Sequence, residues 1–341
     1  MDLIHSVQEL ENYLAAPGAR DKDAIRCIAG DIIILGAGGK MGSSLASRIL
    51  RAAKISEARL RVIAVSRFSS QRLAEEFGRE GIETIACDLS NRDAVAKLPR
   101  CPNVLFLAGR KFGSSVRPDL TWMTNTVLPS YVAEHYRSSR IVVFSTGNVY
   151  PLVQPNSGGS VESDPPGPVG EYAQSCLGRE RVFEHYSREY GTRCLFFRLN
   201  YAVELRYGIP VDIGWKVFAG EPVDLTVPAF NAIWQGDANS YALRCFELCS
   251  SPPRVLNVTG PGIISVRQTA ERFGTVFHRT PIFHSEEGKV ALLSNASLCH
   301  SLLGPPEVSI EKIIDWAAHW VGMGGLSLSR PTKFEVIDGQ Y

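Results

Sequence analysis

Residues 31–42 read Asp-Ile-Ile-Ile-Leu-Gly-Ala-Gly-Gly-Lys-Met-Gly, and the punctuation of this stretch sets the expectation for the whole fold. Four consecutive apolar residues, Ile32 to Leu35, show no alternation, as a strand buried on both faces would. Glycines follow at 36, 38, 39 and 42, and Ser43 to Ala53 then carries Leu45, Ile49 and Leu50 at helical spacing. Strand, glycine turn and helix in that order give each glycine a purpose. It makes a tight turn, brings backbone close to a pyrophosphate, or lets helix pack closely on strand, with the helix N-terminus facing the phosphates. The spacing Gly36-x-x-Gly39-x-x-Gly42 therefore points to dinucleotide binding.

Working outward, Leu60 to Val65 reads as a second strand with Ser66 and Arg67 at its C-terminal end. An acid at this position would hold the two ribose hydroxyls of NAD, and none is present. A guanidinium suits a 2′-phosphate, and Lys40 adds charge to the glycine loop, so NADP is preferred over NAD; the plainer alternative makes Arg67 a solvated strand-end residue. A helix over 70–77 leads to a third strand, Glu83 to Cys87, ending in Asp88 and Leu89. The fourth, Asn103 to Leu107, stops at Ala108 and Gly109, small residues that let a cofactor approach the backbone. A loop over 110–118 precedes a helix near Leu120 containing Trp122, Asn125, Val127 and Leu128. The fifth strand, Ile141 to Phe144, runs into Ser145-Thr146-Gly147-Asn148-Val149-Tyr150; a Pro- and Gly-rich loop follows, then a helix from Tyr172 to about Tyr190 and a sixth strand, Arg193 to Leu199.

This alternation predicts an α/β fold class, a Rossmann-type doubly wound parallel sheet with ligands at the strands' C-terminal edge. Beyond residue 200 it loosens into helices over 211–219, 266–277 and 310–321, another from Trp234-Gln235-Gly236-Asp237 to near Cys249, and a strand at 255–258, consistent with a smaller C-terminal α/β substrate domain. The expected organisation is a helical extension over 1–29, with a helix at 3–15 and a Pro17-Gly18 break before the first strand; an NAD(P)-binding domain over 30–200; a predominantly substrate-binding domain over 201–322; and an extended tail over 323–341.

Composition narrows the classes. With 45% hydrophobic and 21% charged residues and a net charge of +1, the 341-residue chain reads as a soluble globular protein with no reason to expect nucleic acid or an anionic membrane as partner. No apolar run approaches the roughly 20 residues of a membrane span. The N-terminus lacks a basic start and a small-residue cleavage site, so the expected location is cytoplasmic. Eight cysteines are scattered without a C-x-x-C pair, and Cys245 and Cys249 read as small buried residues on a helix. His135, His185, His278, His284 and His300 show no metal spacing, so no metal site is expected.

Taken together, the glycine turn, Asp88, the small residues after the fourth strand, Ser145-Thr146 and Tyr172 make the chain resemble the extended short-chain dehydrogenase/reductases, in the NAD(P)-dependent epimerase/dehydratase branch, over roughly residues 30–321. That family's Ser-Ser/Thr followed by Val-Tyr appears as Ser145-Thr146 and Val149-Tyr150, and its Tyr-x-x-Ser-Lys-x-x-x-Glu helix as Tyr172, Ser175, Cys176 and Glu180. The resemblance implies pyrophosphate held by Gly36, Gly39 and Gly42, with Lys40 and Met41 in the same turn; adenine flanked by Asp88 and Leu89; and substrate oriented by Thr146, with Gly147 and Asn148 beside it. It implies Tyr172 as acid/base, Asn125 as the family's helix asparagine, Asp237 as the acid opening a substrate-domain helix, and a homodimer built through two helices. The activity implied is that of an NAD(P)-dependent oxidoreductase, epimerase or dehydratase acting on a sugar or related polyhydroxy compound, with hydride passing between nicotinamide and a substrate carbon.

One departure stands out: the family's lysine, which binds the nicotinamide ribose and lowers the tyrosine pKa, is Cys176 here. A tyrosine titrates near ~10, so an effective base at neutral pH needs a shift of about three units, roughly 4 kcal/mol. One positive charge at about 4 Å in an effective dielectric near 20 supplies that much. Lys111, just after Gly109, is the candidate replacement, against the alternative of a solvated loop lysine; Arg179 lies a further helical turn from Tyr172. Cys176 reads as a reactive thiol or, more simply, a small buried residue. Arg198, Asn200 and Tyr201 at the end of the sixth strand are candidates for substrate or nicotinamide contact, and Arg206 and Tyr207 for gripping an anionic group. The missing lysine also favours an alternative function, a catalytically degenerate NADP(H)-binding regulatory or sensor module. The tyrosine motif does not separate epimerisation, dehydration and reduction.

Overall fold

The computed structural model describes residues 3–330 and 332–340. Helix α1 (Val7–Leu14), capped by the Ser6 side chain, buries Leu10 and Leu14. The Pro17-Gly18 break does not lead straight to a strand. The Asp21 carboxylate accepts from the Gly18 N–H at 2.8 Å and opens a second helix, α2 (Ala19–Cys27). An acid three residues past the break is the sequence signal for that start.

Strand β1 (Ile32–Leu35) is fully buried and passes through the glycine turn into α3 (Gly42–Ile55). The alternation continues through β2 (Val62–Ser66), α4 (Gln71–Glu80), β3 (Glu83–Ala86), α5 (Arg92–Ala96), β4 (Asn103–Phe106), α6 (Pro118–Trp122), α7 (Leu128–His135), β5 (Arg140–Thr146), α8 (Gly170–Tyr190) and β6 (Arg193–Leu199). Strand ends move by one or two residues from expectation; β5 runs on through Ser145 and Thr146. Between α6 and α7 a π-helical turn, Met123–Val127, turns Asn125 into the interior. Next come β7 (Ala202–Val203), α9 (Ile209–Ala219), β8 (Val223–Asp224), β9 (Ala229–Phe230), β10 (Ile233–Trp234), α10 (Gln235–Arg244), β11 (Arg254–Val258), β12 (Ile264–Ser265), α11 (Val266–Phe277), β13 (Phe283–His284), α12 (Ser297–Leu303) and α13 (Ile310–Gly322).

Seven parallel strands form the central sheet, in the order β11-β6-β5-β4-β1-β2-β3. The run without alternation in β1 has a direct cause. Ile32 and Ile34 face one core with α3 and α10, whereas Ile33 and Leu35 face another with α7 and α8. Strand order reverses between β1 and β4, which places the ligand crevice at their C-terminal ends.

Packing crosses three of the boundaries expected from sequence. Residues of β11 pair with β6, and α10 packs on α2 and α3, so this part of 201–322 belongs to the body of the central sheet. A second, smaller layer consists of α9, α11 and α13 with the short pairs β7/β10, β8/β13 and β9/β12. The N-terminal extension packs on the body of the central sheet: buried Asp21 pairs with buried Arg48 of α3 at 2.6 Å and accepts from the Ser240 hydroxyl of α10 at 2.5 Å. The extended tail packs as well, with Phe334 buried in the core of the smaller layer.

Candidate functional site

The glycine turn is shaped by what crosses beneath it. Gly36 has φ 94°, and a Cβ there would stand 2.7 Å from the Ala108 nitrogen, so the end of β4 passes directly under the turn. A Cβ on Gly42 would fall 2.3 Å from the Ala37 carbonyl oxygen, which seats the first turn of α3 against the loop. Gly39 is exposed and meets only the Gly36 oxygen at 3.4 Å, leaving its backbone open beside the N-terminus of α3. Such a cradle fits a dinucleotide pyrophosphate. At the far end, Ser66 packs against Gly38, exposed Arg67 follows, and Leu89 is buried. Asp88 is held below the usual carboxylate range by the Ser90 N–H and hydroxyl, with Arg67 contributing.

Lys40 does not join Ser66 and Arg67. Its ammonium donates to the Ala202 carbonyl at 2.8 Å and lies 4.3 Å from the Tyr207 ring centre, on the opposite side of the turn. Desolvation lowers its pKa to about 8, despite the opposing charge of Glu204.

Tyr172 sits in the first turn of α8 with its hydroxyl in hydrogen-bond contact with Thr146 and Cys176. Burial pushes the phenol well above its ordinary value; Cys176 adds to this and Arg179 opposes it. Cys176 is buried, and desolvation raises its thiol, so this position holds a neutral group and not a thiolate. Lys111 lies over the Tyr172 ring at 5.9 Å and donates to the Thr332 carbonyl at 3.4 Å; desolvation lowers its pKa to about 8. Arg179, judged by sequence a turn too far, is brought beneath the site: it donates to the Phe144 carbonyl at 2.6 Å and to Asn125 Oδ1 at 2.8 Å. Sequence spacing along α8 measured the distance of its Cα and missed the reach of its side chain.

Lys40, Met41, Lys111, Thr146 and Tyr172 line one cleft of about 170 Å³ together with Asn148, Asn200, Tyr201 and Tyr207. Asn148 exchanges hydrogen bonds with Thr146, its Oδ1 accepting from the Thr146 hydroxyl at 2.9 Å. Asn200 donates to Asn231 at 2.7 Å and presses against Gly147, where a Cβ would stand 3.0 Å from it. Tyr201 has φ 48°, a left-handed conformation that costs a bulky residue about 1–3 kcal/mol and is concentrated at functional sites.

Other candidates are committed elsewhere. Asn125 donates to the Arg110 carbonyl and to Ser175 Oγ, and its Oδ1 accepts from the Arg110 N–H and from Arg179, so it fastens the Gly109–Lys111 loop to α8. Gly109 is packed by Arg179, whose Nη2 would stand 2.8 Å from a Cβ there. Arg198 forms a buried pair with Glu180 and donates to Tyr150 at 2.6 Å. Arg206 is held by Glu11 at 2.6 Å and Glu204 at 3.0 Å, outside the residues that line the cleft. Asp237 accepts from the Val308 N–H, and burial raises its pKa to about 6.

The model of the NAD dependent epimerase/dehydratase family matches residues 32–203, just over half of the chain. No curated protein matches it in sequence. Among solved structures, a Thermus thermophilus UDP-glucose 4-epimerase in complex with NAD superposes with a TM-score of 0.70 at 18% identity, over 85% of this chain and 98% of that one. A Thermotoga maritima UDP-glucose 4-epimerase with UDP-glucose gives 0.69 at 19%, over 86% and 99%. A Bacillus cereus UDP-glucuronic acid 4-epimerase gives 0.70 at 14%, over 86% and 99%. At these identities the likeness is one of fold.

Proposed function

Because the chain belongs to the NAD dependent epimerase/dehydratase family, we propose that it is an NAD(P)-dependent oxidoreductase or epimerase acting on a hydroxyl of a sugar or sugar derivative, with Tyr172 as acid/base. One observation carries the reading: the Tyr172 hydroxyl touches Thr146 at the end of β5 while the Lys111 ammonium lies over its ring, beside the glycine turn. A dinucleotide held with its pyrophosphate on the glycine turn would supply hydride acceptance and return through its nicotinamide. Thr146 positions the reacting oxygen, and Tyr172 takes or returns its proton. Burial alone makes the phenol a poor base, so positive charge is required where the family lysine is replaced by Cys176: Arg179 already opposes the upward shift, and the Lys111 ammonium over the ring is the second cation in reach. The Cys176 thiol contributes a hydrogen bond without charge.

Gly36, Gly39 and Gly42 hold the pyrophosphate in this reading, Arg67 favours NADP over NAD, and Asn148, Asn200 and Tyr201 contact the substrate. The homodimer is proposed through the helix faces that expose Leu120, Trp122 and Val127. A second reading, a cofactor-binding sensor without turnover, draws on the strong upward shift of the Tyr172 phenol. Titration with NADPH and NADH, followed by a panel of sugars, sugar acids and sugar nucleotides, separates the two. Cofactor binding with conversion of any panel member supports the enzyme, and binding with no conversion supports the sensor.

A further inference from the structure

The chain after α13 is Gly- and Ser-rich, and nothing in it suggests a part in chemistry. Its path shows otherwise. Gly325 lies against the Trp320 indole, whose Nε1 donates to the Leu326 carbonyl at 3.0 Å, and the Leu328 N–H donates to the Arg206 carbonyl at 3.1 Å. The segment then crosses α9, where the Thr332 N–H and hydroxyl both donate to one oxygen of Asp212, at 2.8 and 2.6 Å. Phe334 is buried, and Glu335 pairs with Lys216 of α9 at 2.7 Å. Gly339 finally packs against Val169 and Gly170 at the start of α8, two residues before Tyr172.

The consequence falls on Lys111. It lies in an irregular loop after β4, where a lysine has four rotatable bonds and an easy route to water. Its ammonium instead donates to the Thr332 carbonyl and stays on the Tyr172 ring. The same residue thus meets Asp212 through its N–H and hydroxyl and Lys111 through its carbonyl.

We propose that Thr332 and Asp212 are positioning residues: Asp212 anchors the C-terminal strap, and the strap's Thr332 carbonyl holds the Lys111 ammonium beside Tyr172. This rests on the proposed function for its catalytic meaning, while the positioning itself is measurable without turnover. The ionisable groups facing Asp212 are Lys111, Lys216, Glu335 and Tyr207, and its carboxyl is raised to about 6 by burial, leaving it ionised and a strong acceptor at neutral pH.

The test is a double-mutant cycle in the full chain. Asp212→Asn should lower turnover about 10-fold in the wild-type background and less than about 2-fold in a Lys111→Met background, because it acts through a group already gone. Cofactor affinity should stay unchanged in both. Equal losses in the two backgrounds, or no loss in the first, would overturn the proposal. Thr332→Val, which removes only the hydroxyl bond, serves if Asp212→Asn fails to fold. A second readout is independent of the reaction: in Asp212→Asn the pH dependence of Lys111 labelling by an amine reagent should move upward from about 8 toward the 10.5 of a solvated lysine, whereas loss of the Asp212 charge with the strap still in place would move it downward. Should Tyr172→Phe retain turnover, the proposed function fails while this titration still decides the strap; an unmoved or lowered Lys111 titration overturns it.

Discussion

Replacing Lys111 by methionine keeps the length of the stem and removes the charge. Taking 5.9 Å as the separation from the Tyr172 ring, a unit charge in an effective dielectric near 20 is worth up to about 2.8 kcal/mol, or about two pKa units on the phenol. Water in the cleft screens part of this, so the expected fall in turnover at neutral pH is about 10- to 100-fold. The sign of the pH dependence follows from the lysine itself. Its ammonium, lowered to about 8 by desolvation, is charged below that pH and neutral above it. The ratio of wild-type to variant turnover should therefore be largest near neutrality and shrink toward one as pH rises through about 8. Steady-state rates of both proteins across that range, with cofactor saturating, measure the ratio directly. A ratio near one at neutral pH, or one that stays constant through the range, would refute the assignment of Lys111 as the substitute cation.

Two further outcomes are expected. Arg67→Ala should weaken NADPH binding by about 10-fold and leave NADH nearly unaltered, as removal of one guanidinium–phosphate contact would; equal losses in fluorescence titrations with the two cofactors would remove Arg67 from 2′-phosphate recognition. Asp21→Ala should cost about 3–5 kcal/mol in urea unfolding, since it strands the buried Arg48 charge between α2, α3 and α10; a cost below about 1 kcal/mol would mean that the N-terminal extension is not part of the folded core.

The central sheet was legible because its signals are local. Strands β1, β2, β4, β5 and β6 are short, largely apolar runs bounded by turn residues, and the glycine turn marks the crevice because it stands between a buried strand and a helix. The proposed acid/base pair could be located for the same reason, Tyr172 and Thr146 standing in motifs of their own, and folding brings their side chains into contact. What sequence reading missed depends on side-chain reach and chain return. Lys40 sits among the glycines yet crosses the cleft to Ala202, and Arg179 reaches under Tyr172 from a position one turn too far along the helix. Arg198 and Arg206 looked available for ligands because their acids, Glu180, Glu204 and Glu11, are brought to them by folding. The return of Thr332 to Lys111 spans 221 residues, and no periodicity encodes a contact of that range.

Tyr172→Phe tests the central claim most directly. The variant loses only the hydroxyl that touches Thr146, so wild-type and variant proteins should bind NADPH or NADH equally well in a fluorescence titration. Conversion of whichever sugar derivative the wild type accepts should fall by at least about 100-fold in the variant. Unchanged conversion by a variant that binds cofactor normally would contradict the account, because the proton would then pass through another group.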